Sequence, residues 1–371
     1  MLYWLTQQLA DLPGAGLFVY ISFRAAGAAL TAFVLAWACG APVIRWLRRA
    51  GVGEDVDSPS PELTELHAGK RDTPTMGGLF AVGAILTAAL LWMRFDGLNA
   101  FSWPAVGLVA WFAVVGGVDD WIKLRVPGRR GLSSRAKQRL LTVGALAVGF
   151  ALPHLCGLEQ ARGGPHLYFP FAKDLAVPLG AFGAVPFALV AVLVLTGSAN
   201  AVNLTDGLDG LAIGCVAIAS LAYSGITYFV GHEQLSDYLL VQHVPGCGEM
   251  TVLLGAVAGA SLGFLWYNAA PAQVFMGDVG SLALGGALGY VALVSRTELV
   301  LFVVGGVFVA EAVSVMLQVL SYKTTKRRIF RCAPLHHHFQ FGGMPETRLV
   351  VRIWIVAALL ALSSLALFKV R

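Results

Sequence analysis

Charge is the first thing this sequence lacks. Of its 371 residues only 13% are Asp, Glu, Lys or Arg, while 57% are hydrophobic. Soluble domains carry about 25% charged and about 45–50% apolar residues. A soluble globule, a disordered chain and a charged coiled coil are therefore excluded. Cysteine chemistry is missing too. Cys39, Cys156, Cys215, Cys247 and Cys332 form no C-x-x-C pair, which removes zinc-ribbon and thioredoxin-type motifs. There is no Walker A sequence, and no G-x-G-x-x-G follows a strand, so neither ATP nor a dinucleotide is indicated. No repeat of solenoid length occurs. The first residues include Trp4, Gln7, Gln8 and Asp11. They lack the basic start and small-residue cleavage site of a secretory leader, so no cleavable signal peptide is expected.

What the sequence has is apolar runs close to the ~20 residues that a helix needs to cross a bilayer. Mean hydropathy is +0.73. Spans are expected at 17–40, 76–95, 103–119, 138–155, 176–199, 210–230, 251–268, 279–295, 299–321 and 350–368. The fold class is an all-α polytopic membrane protein, one integral domain of about ten transmembrane helices. Gly285-Gly286 and Gly305-Gly306 suit close helix packing in lipid. Loop 156–178 reads as a short hairpin, because Pro170 and Lys173-Asp174 interrupt it.

The net charge of +5 and pI near 9.0 read as loop charge and not as a nucleic-acid footprint. Nineteen of the 26 Lys and Arg fall in loops 41–75, 120–139 and 322–352. With ten spans and an outside N-terminus, all three loops lie on one side. The positive-inside rule makes that side cytoplasmic and puts both termini outside. On the outside, Cys156 and Cys247 are candidates for a disulfide, since that compartment is oxidising.

Carboxylates then stand out, because an Asp in the membrane costs about 2.5–3.5 kcal/mol on insertion scales and needs a role. Asp119 and Asp120 end the third span. Asp206 and Asp209 lie in Asn203-Leu-Thr-Asp-Gly-Leu-Asp-Gly210, and Asp278 lies in Phe275-Met-Gly-Asp278. The orientation came from Lys and Arg alone, yet it puts all five acids at cytoplasmic helix ends. Clustered carboxylates beside a basic rim suit a hard cation, Mg²⁺ or Mn²⁺, shared with phosphate oxygens. Helix capping competes for Asp206, but not for Asp119-Asp120, which end a helix where the macrodipole disfavours anions. The adjacent Asp119 and Asp120 point about 100° apart on a helix and are expected to have separate jobs. Asp119 is assigned to a phosphate, Asp120 to the metal or a lysine. Pro334-Leu-His336-His337-His338 reads as a phosphate- or sugar-contacting loop, since three consecutive His cannot all ligate one ion from a helix or strand. In Lys70-Arg-Asp-Thr-Pro-Thr75-Met-Gly-Gly78 the Lys and Thr side chains have the reach to meet a phosphate, and the glycines allow close backbone approach.

Taken together, Thr73-Pro-Thr-Met-Gly-Gly78, Val118-Asp-Asp120, Asn200 to Gly210, Trp266-Tyr-Asn268, Phe275-Met-Gly-Asp278 and Ala333-Pro-Leu-His-His-His338 resemble the phospho-N-acetylmuramoyl-pentapeptide-transferase family. That family sits within the polyprenyl-phosphate N-acetylhexosamine-1-phosphate transferase superfamily. The match runs in unbroken order from about residue 45 to the C-terminus. The resemblance implies a ten-span, dimeric enzyme of the bacterial inner membrane with a cytoplasmic active-site cleft. It implies transfer of phospho-MurNAc-pentapeptide from UDP-MurNAc-pentapeptide to undecaprenyl phosphate, giving lipid I and UMP with Mg²⁺, the first membrane step of peptidoglycan synthesis. By resemblance Asp278 ligates the metal, and Gly207, Leu208 and Asp209 line the uridine site beside Phe275. Asn203, Asp206, Asn268, Gln318, His336, His337 and His338 face the sugar and diphosphate. Lys70, Thr75 and Lys123 are expected against phosphate. The chain departs from the family pattern at Asp72, at Pro127-Gly128 and at Met344. The second departure leaves the basic contact open between Arg125, Arg129 and Arg130. Two other readings compete: a GlcNAc-1-phosphate transferase of the same superfamily, which the His triplet disfavours, and an ion-coupled transporter, which would show repeat symmetry and a midplane site.

Overall fold

The computed structural model describes residues 1–8, 14–51, 70, 73–125, 131–155, 166–169, 176–179 and 184–367. In chain order the helices are α1 Leu2–Gln8, α2 Ile21–Arg49, α3 Gly78–Trp92, α4 Ser102–Arg125, α5 Ser134–Leu155, α6 Val185–Thr205 and α7 Leu211–Val230. They continue as α8 Glu233–Leu239, α9 Glu249–Asn268, α10 Gly277–Val294, α11 Leu301–Val304, α12 Gly306–Thr325, α13 Leu335–Gln340 and α14 Glu346–Leu367. Strands β1 His166–Tyr168 and β2 Ala176–Pro178 pair antiparallel, with Leu167 opposite Val177.

Eight of these helices are long and apolar enough to cross a membrane. α3 and α5 occupy the other two expected spans. α3 has only 15 residues, about 22 Å at 1.5 Å per residue. α5 opens on Arg135, Lys137 and Arg139, which shortens its apolar stretch. Several boundaries differ from expectation, α2 and α4 running on to Arg49 and Arg125. The fifth span was expected from 176, but Ala176–Pro178 is the second strand of the hairpin, and the helix starts at Val185 with Pro186 in its first turn. Proline there loses no hydrogen bond and pre-sets φ. The span expected at 299–321 divides at Gly305 into α11 and α12. Of the expected disulfide pair, Cys247 is buried, and Cys156 lies outside the described residues.

α10 forms the axis. It packs against α3, α4, α6 and α7, while α9 packs against α2, α3 and α7. Both are apolar on every face and buried, as expected of a helix without a polar stripe. α2, α12 and α14 keep an outer apolar face, with Leu30, Val34, Met316, Leu320, Leu359 and Leu362 exposed. In a bilayer those residues meet lipid. One ion pair is sealed between α2 and α9: Arg24 Nη1 and Nη2 donate to Glu249 Oε2 at 2.7 Å and Oε1 at 2.5 Å. The Arg94 N–H reaches the same Oε2 at 2.9 Å, which ties the end of α3 to the pair. Arg24 Nη1 also donates to the Trp92 carbonyl at 3.2 Å, while its Nε has no partner; breaking a buried pair of this kind is costly, because it leaves one charge uncompensated.

Candidate active site

The C-terminal ends of α4, α6 and α9 and the N-terminal ends of α10 and α14 open on one face. α4 and α10 touch backbone to backbone there. A Cβ at Gly116 would fall 2.2 Å from the Asp278 carbonyl oxygen, so only glycine permits the approach. That contact brings Asp119 and Asp120, one turn beyond Gly116, against Asp278 in the first turn of α10. One carboxylate oxygen from each lies within 4.8 Å of the others, and all three residues are buried.

Two lysines enter this cluster. Lys123 Nζ is 2.7 Å from Asp119 Oδ2, 3.3 Å from Asp120 Oδ1 and 3.2 Å from Asp278 Oδ2. Lys137 Nζ is 3.1 Å from Asp119 Oδ2 and also contacts Asp278 Oδ2. Backbone donors fix the remaining oxygens. The Leu132 N–H donates to Asp119 Oδ1 at 2.8 Å, and the Val279 N–H to Asp120 Oδ2 at 3.1 Å. Asn203, on the last turn of α6, donates from Nδ2 to Asp278 Oδ1 at 2.7 Å and to Ser281 Oγ at 2.8 Å. The three carboxylates and two ammoniums leave one formal negative charge. An all-oxygen donor set with surplus negative charge fits a hard divalent ion that also binds phosphate.

A second cluster joins residues distant in sequence. Lys70 Nζ donates to Asp209 Oδ1 at 2.6 Å and to Glu346 Oε1 at 2.7 Å. The Asp209 N–H also donates to Glu346 Oε1, at 2.9 Å, and Asp209 Oδ2 accepts the Ala272 N–H at 3.0 Å. Asn268 Oδ1 accepts the Gly210 N–H at 3.1 Å, and its Nδ2 donates to the Val274 carbonyl at 2.8 Å. Asp206 follows α6 as its C-cap residue, and Gly210 precedes α7 as its N-cap residue. Leu208 is buried and Gly207 lies against His336. Phe275 is half-buried beside the 73–78 segment: its N–H donates to the Pro74 carbonyl, and its own carbonyl accepts the Gly77 N–H, both at 2.8 Å. Thr75 is half-buried beside Gly277.

The histidine triplet lies on a short helix, α13, where a loop was expected. Its three members have three different surroundings. His336 is buried, with Nδ1 3.2 Å from Glu311 Oε2, and its own N–H donates to that oxygen. His337 Nδ1 pairs with Gln340 Oε1 at 2.8 Å. His338 Nδ1 accepts the Arg331 N–H at 3.2 Å. Gln318 holds the basic loop: its Oε1 accepts the N–H groups of Ile329 and Phe330, and its Nε2 donates to the Phe330 carbonyl, each at 3.0 Å. Of the candidate phosphate arginines, Arg129 and Arg130 lie outside the described residues. Arg125 lies over the Trp121 ring, 4.9 Å from its centre. Asp72 and Pro127-Gly128 are likewise outside the described residues. Lys137 and Glu346 were not among the sequence candidates for the site.

Similarity to known proteins matches this geometry. The model of glycosyl transferase family 4 matches residues 102–296, the stretch that carries all three clustered aspartates. Phospho-N-acetylmuramoyl-pentapeptide-transferase signature 1 matches residues 70–80. The phospho-N-acetylmuramoyl-pentapeptide-transferase of Ruegeria pomeroyi is 45% identical over 377 residues, and that of Desulfatibacillum aliphaticivorans 47% over 373. Each alignment covers 100% of both chains. The chain belongs to the phospho-N-acetylmuramoyl-pentapeptide-transferase family. Within this family the two polar clusters acquire distinct expectations. The aspartate–lysine cluster is the candidate for metal and phosphoryl chemistry. The Lys70–Asp209 cluster is the candidate for the nucleotide.

Proposed function

We propose that this protein transfers phospho-MurNAc-pentapeptide from UDP-MurNAc-pentapeptide to undecaprenyl phosphate, producing lipid I and UMP. The reading is carried by the full-length likeness to transferases of that name together with a buried aspartate–lysine cluster at the end of the membrane bundle. The positive-inside pattern of the basic loops supports a cytoplasmic position for that end in the bacterial inner membrane, where the protein works as a homodimer.

An oxygen of the lipid phosphate attacks the phosphorus that bears the sugar. The P–O bond to the uridine-side phosphate breaks, and UMP leaves with the electron pair. The attacking oxygen is already ionised at neutral pH, so the protein's task is positioning and charge neutralisation. Asp278, with Asp119 and Asp120, would hold Mg²⁺ or Mn²⁺. Bound there, the ion supplies charge neutralisation to the diphosphate. Lys123 and Lys137 present ammoniums to the same phosphates. Asp119 orients the acceptor phosphate, and Asp120 holds Lys123 in place. Phe275 offers a stacking face to uracil, and Lys70 with Asp209 faces the nucleotide. Asn203, Asp206, Asn268, Gln318 and the histidines 336–338 surround the sugar and diphosphate.

The test is steady-state kinetics of purified protein in detergent, with UDP-MurNAc-pentapeptide, a polyprenyl phosphate and Mg²⁺ varied in turn. UMP release that requires all three is expected. Purified, folded protein that releases no UMP under these conditions contradicts the reading.

A further inference from the structure

Lys70 is offered to the donor in the reading above, yet its Nζ is already shared between two carboxylates. One is Asp209. The other, Glu346, comes from the first turn of α14, 276 residues away. A single oxygen, Glu346 Oε1, takes both the Lys70 ammonium at 2.7 Å and the Asp209 N–H at 2.9 Å. Asp209 then passes the constraint on: its Oδ1 meets Lys70 and its Oδ2 meets the Ala272 N–H. Four stretches of chain therefore converge on two acids. Without Glu346, α14 loses its hydrogen bond to the Asp209 turn and its ion pair to Lys70, and Lys70 keeps one partner.

Glu346 has a favourable place to be anionic. It opens α14, where the helix macrodipole stabilises negative charge. Bonds from a backbone N–H and an ammonium to an ionised oxygen are of the stronger kind. Its position is set by a whole membrane helix, so it can fix the direction of two flexible partners.

We infer that Glu346 is a positioning residue for the donor site: it aims the Lys70 ammonium and holds the Asp209 turn, and it touches neither substrate itself. The inference rests on the donor-site reading given above. Removing Glu346 takes one of the two carboxylates from Lys70 and the acceptor from the Asp209 N–H, loosening both at once. The donor then has to order them on binding, whereas the lipid acceptor does not meet them.

The test compares Glu346→Ala and Glu346→Gln with the wild type in the transferase assay. Both KM values, kcat and thermal midpoint are measured, and UDP-MurNAc-pentapeptide binding is followed by calorimetry without acceptor. Glu346→Ala is expected to raise the donor KM and the calorimetric Kd about tenfold, the loss of one charged hydrogen bond. The polyprenyl phosphate KM should stay within twofold. Glu346→Gln keeps an acceptor oxygen and should recover most of the donor affinity. A purely structural residue would instead lower the thermal midpoint and the active fraction, and so the apparent kcat, with both KM values unmoved. That outcome overturns the inference. So does a fall in donor KM, which would mean that Glu346 competes with the donor for Lys70. A wild type without activity would overturn the functional reading instead, before any variant is compared.

Discussion

Asp278→Asn removes one charge and almost no volume, so it separates chemistry from packing. In the wild type Asp278 Oδ2 faces Lys123 Nζ at 3.2 Å and also Lys137, while Oδ1 accepts from Asn203 at 2.7 Å. The formal charge of the cluster rises from one negative to zero. A unit charge pair 4 Å apart is worth about 4 kcal/mol at an effective dielectric near 20. For a divalent ion that doubles, to about 8 kcal/mol. The Lys123 side chain is 40% exposed, so water reaches the site, and halving the figure for screening leaves about 4 kcal/mol, or roughly a thousandfold. Stability should fall modestly. Asn keeps one acceptor oxygen where Asp278 uses two, so either Asn203 or the lysines lose a partner, about 0.5–1.5 kcal/mol, and losing an anion from the first turn of α10 costs about 0.3–1 kcal/mol. The assay is UMP release at saturating donor and acceptor across a Mg²⁺ series, with thermal unfolding in parallel. The expected result is a kcat lower by about three orders of magnitude and a midpoint lowered by a few degrees. Activity within tenfold of wild type at the same Mg²⁺, from protein of unchanged stability, would refute the assignment of metal and phosphoryl chemistry to this cluster.

Glu249→Ala leaves Arg24 as an uncompensated buried charge and should destabilise the protein by about 3–5 kcal/mol; an unchanged thermal midpoint would show that the pair is not sealed as described. Gly207→Ala puts a Cβ 2.3 Å from His336 Nε2, an overlap costing about 1–3 kcal/mol. Adding His336→Ala should return part of that stability, and a double variant no more stable than Gly207→Ala alone would count against the contact. Labelled UMP should not exchange into UDP-MurNAc-pentapeptide in lipid-free enzyme if the lipid phosphate attacks directly. Exchange abolished by Asp119→Asn would point to a covalent intermediate.

Much of this architecture was legible along the chain, because membrane helices announce themselves by run length. Each expected span has a helix, and the hairpin within 156–178 is present. The helix at 335–340 was missed, since one and a half turns bearing three His have no hydrophobic period to detect. The strand at Ala176–Pro178 was mistaken for the start of a span because its residues are apolar and run into α6. Within the site, the aspartates stood out as acids in apolar surroundings. Lys137 did not, because it looks like one more orienting charge among Arg135 and Arg139. The pairings of Glu346 and Glu311 were hidden for a different reason. Their partners, Lys70 and His336, lie 276 and 25 residues away, and pairings across a bundle leave no periodic trace in one sequence.

The most direct test of the central claim follows both halves of the donor. Purified protein is given UDP-MurNAc-pentapeptide labelled in the uridine and in the peptide, with undecaprenyl phosphate and Mg²⁺. UDP-GlcNAc serves as the competing donor. The account expects one UMP for each peptide label that enters the lipid fraction, and no lipid product from UDP-GlcNAc. Lipid product from UDP-GlcNAc and none from the pentapeptide donor would contradict it.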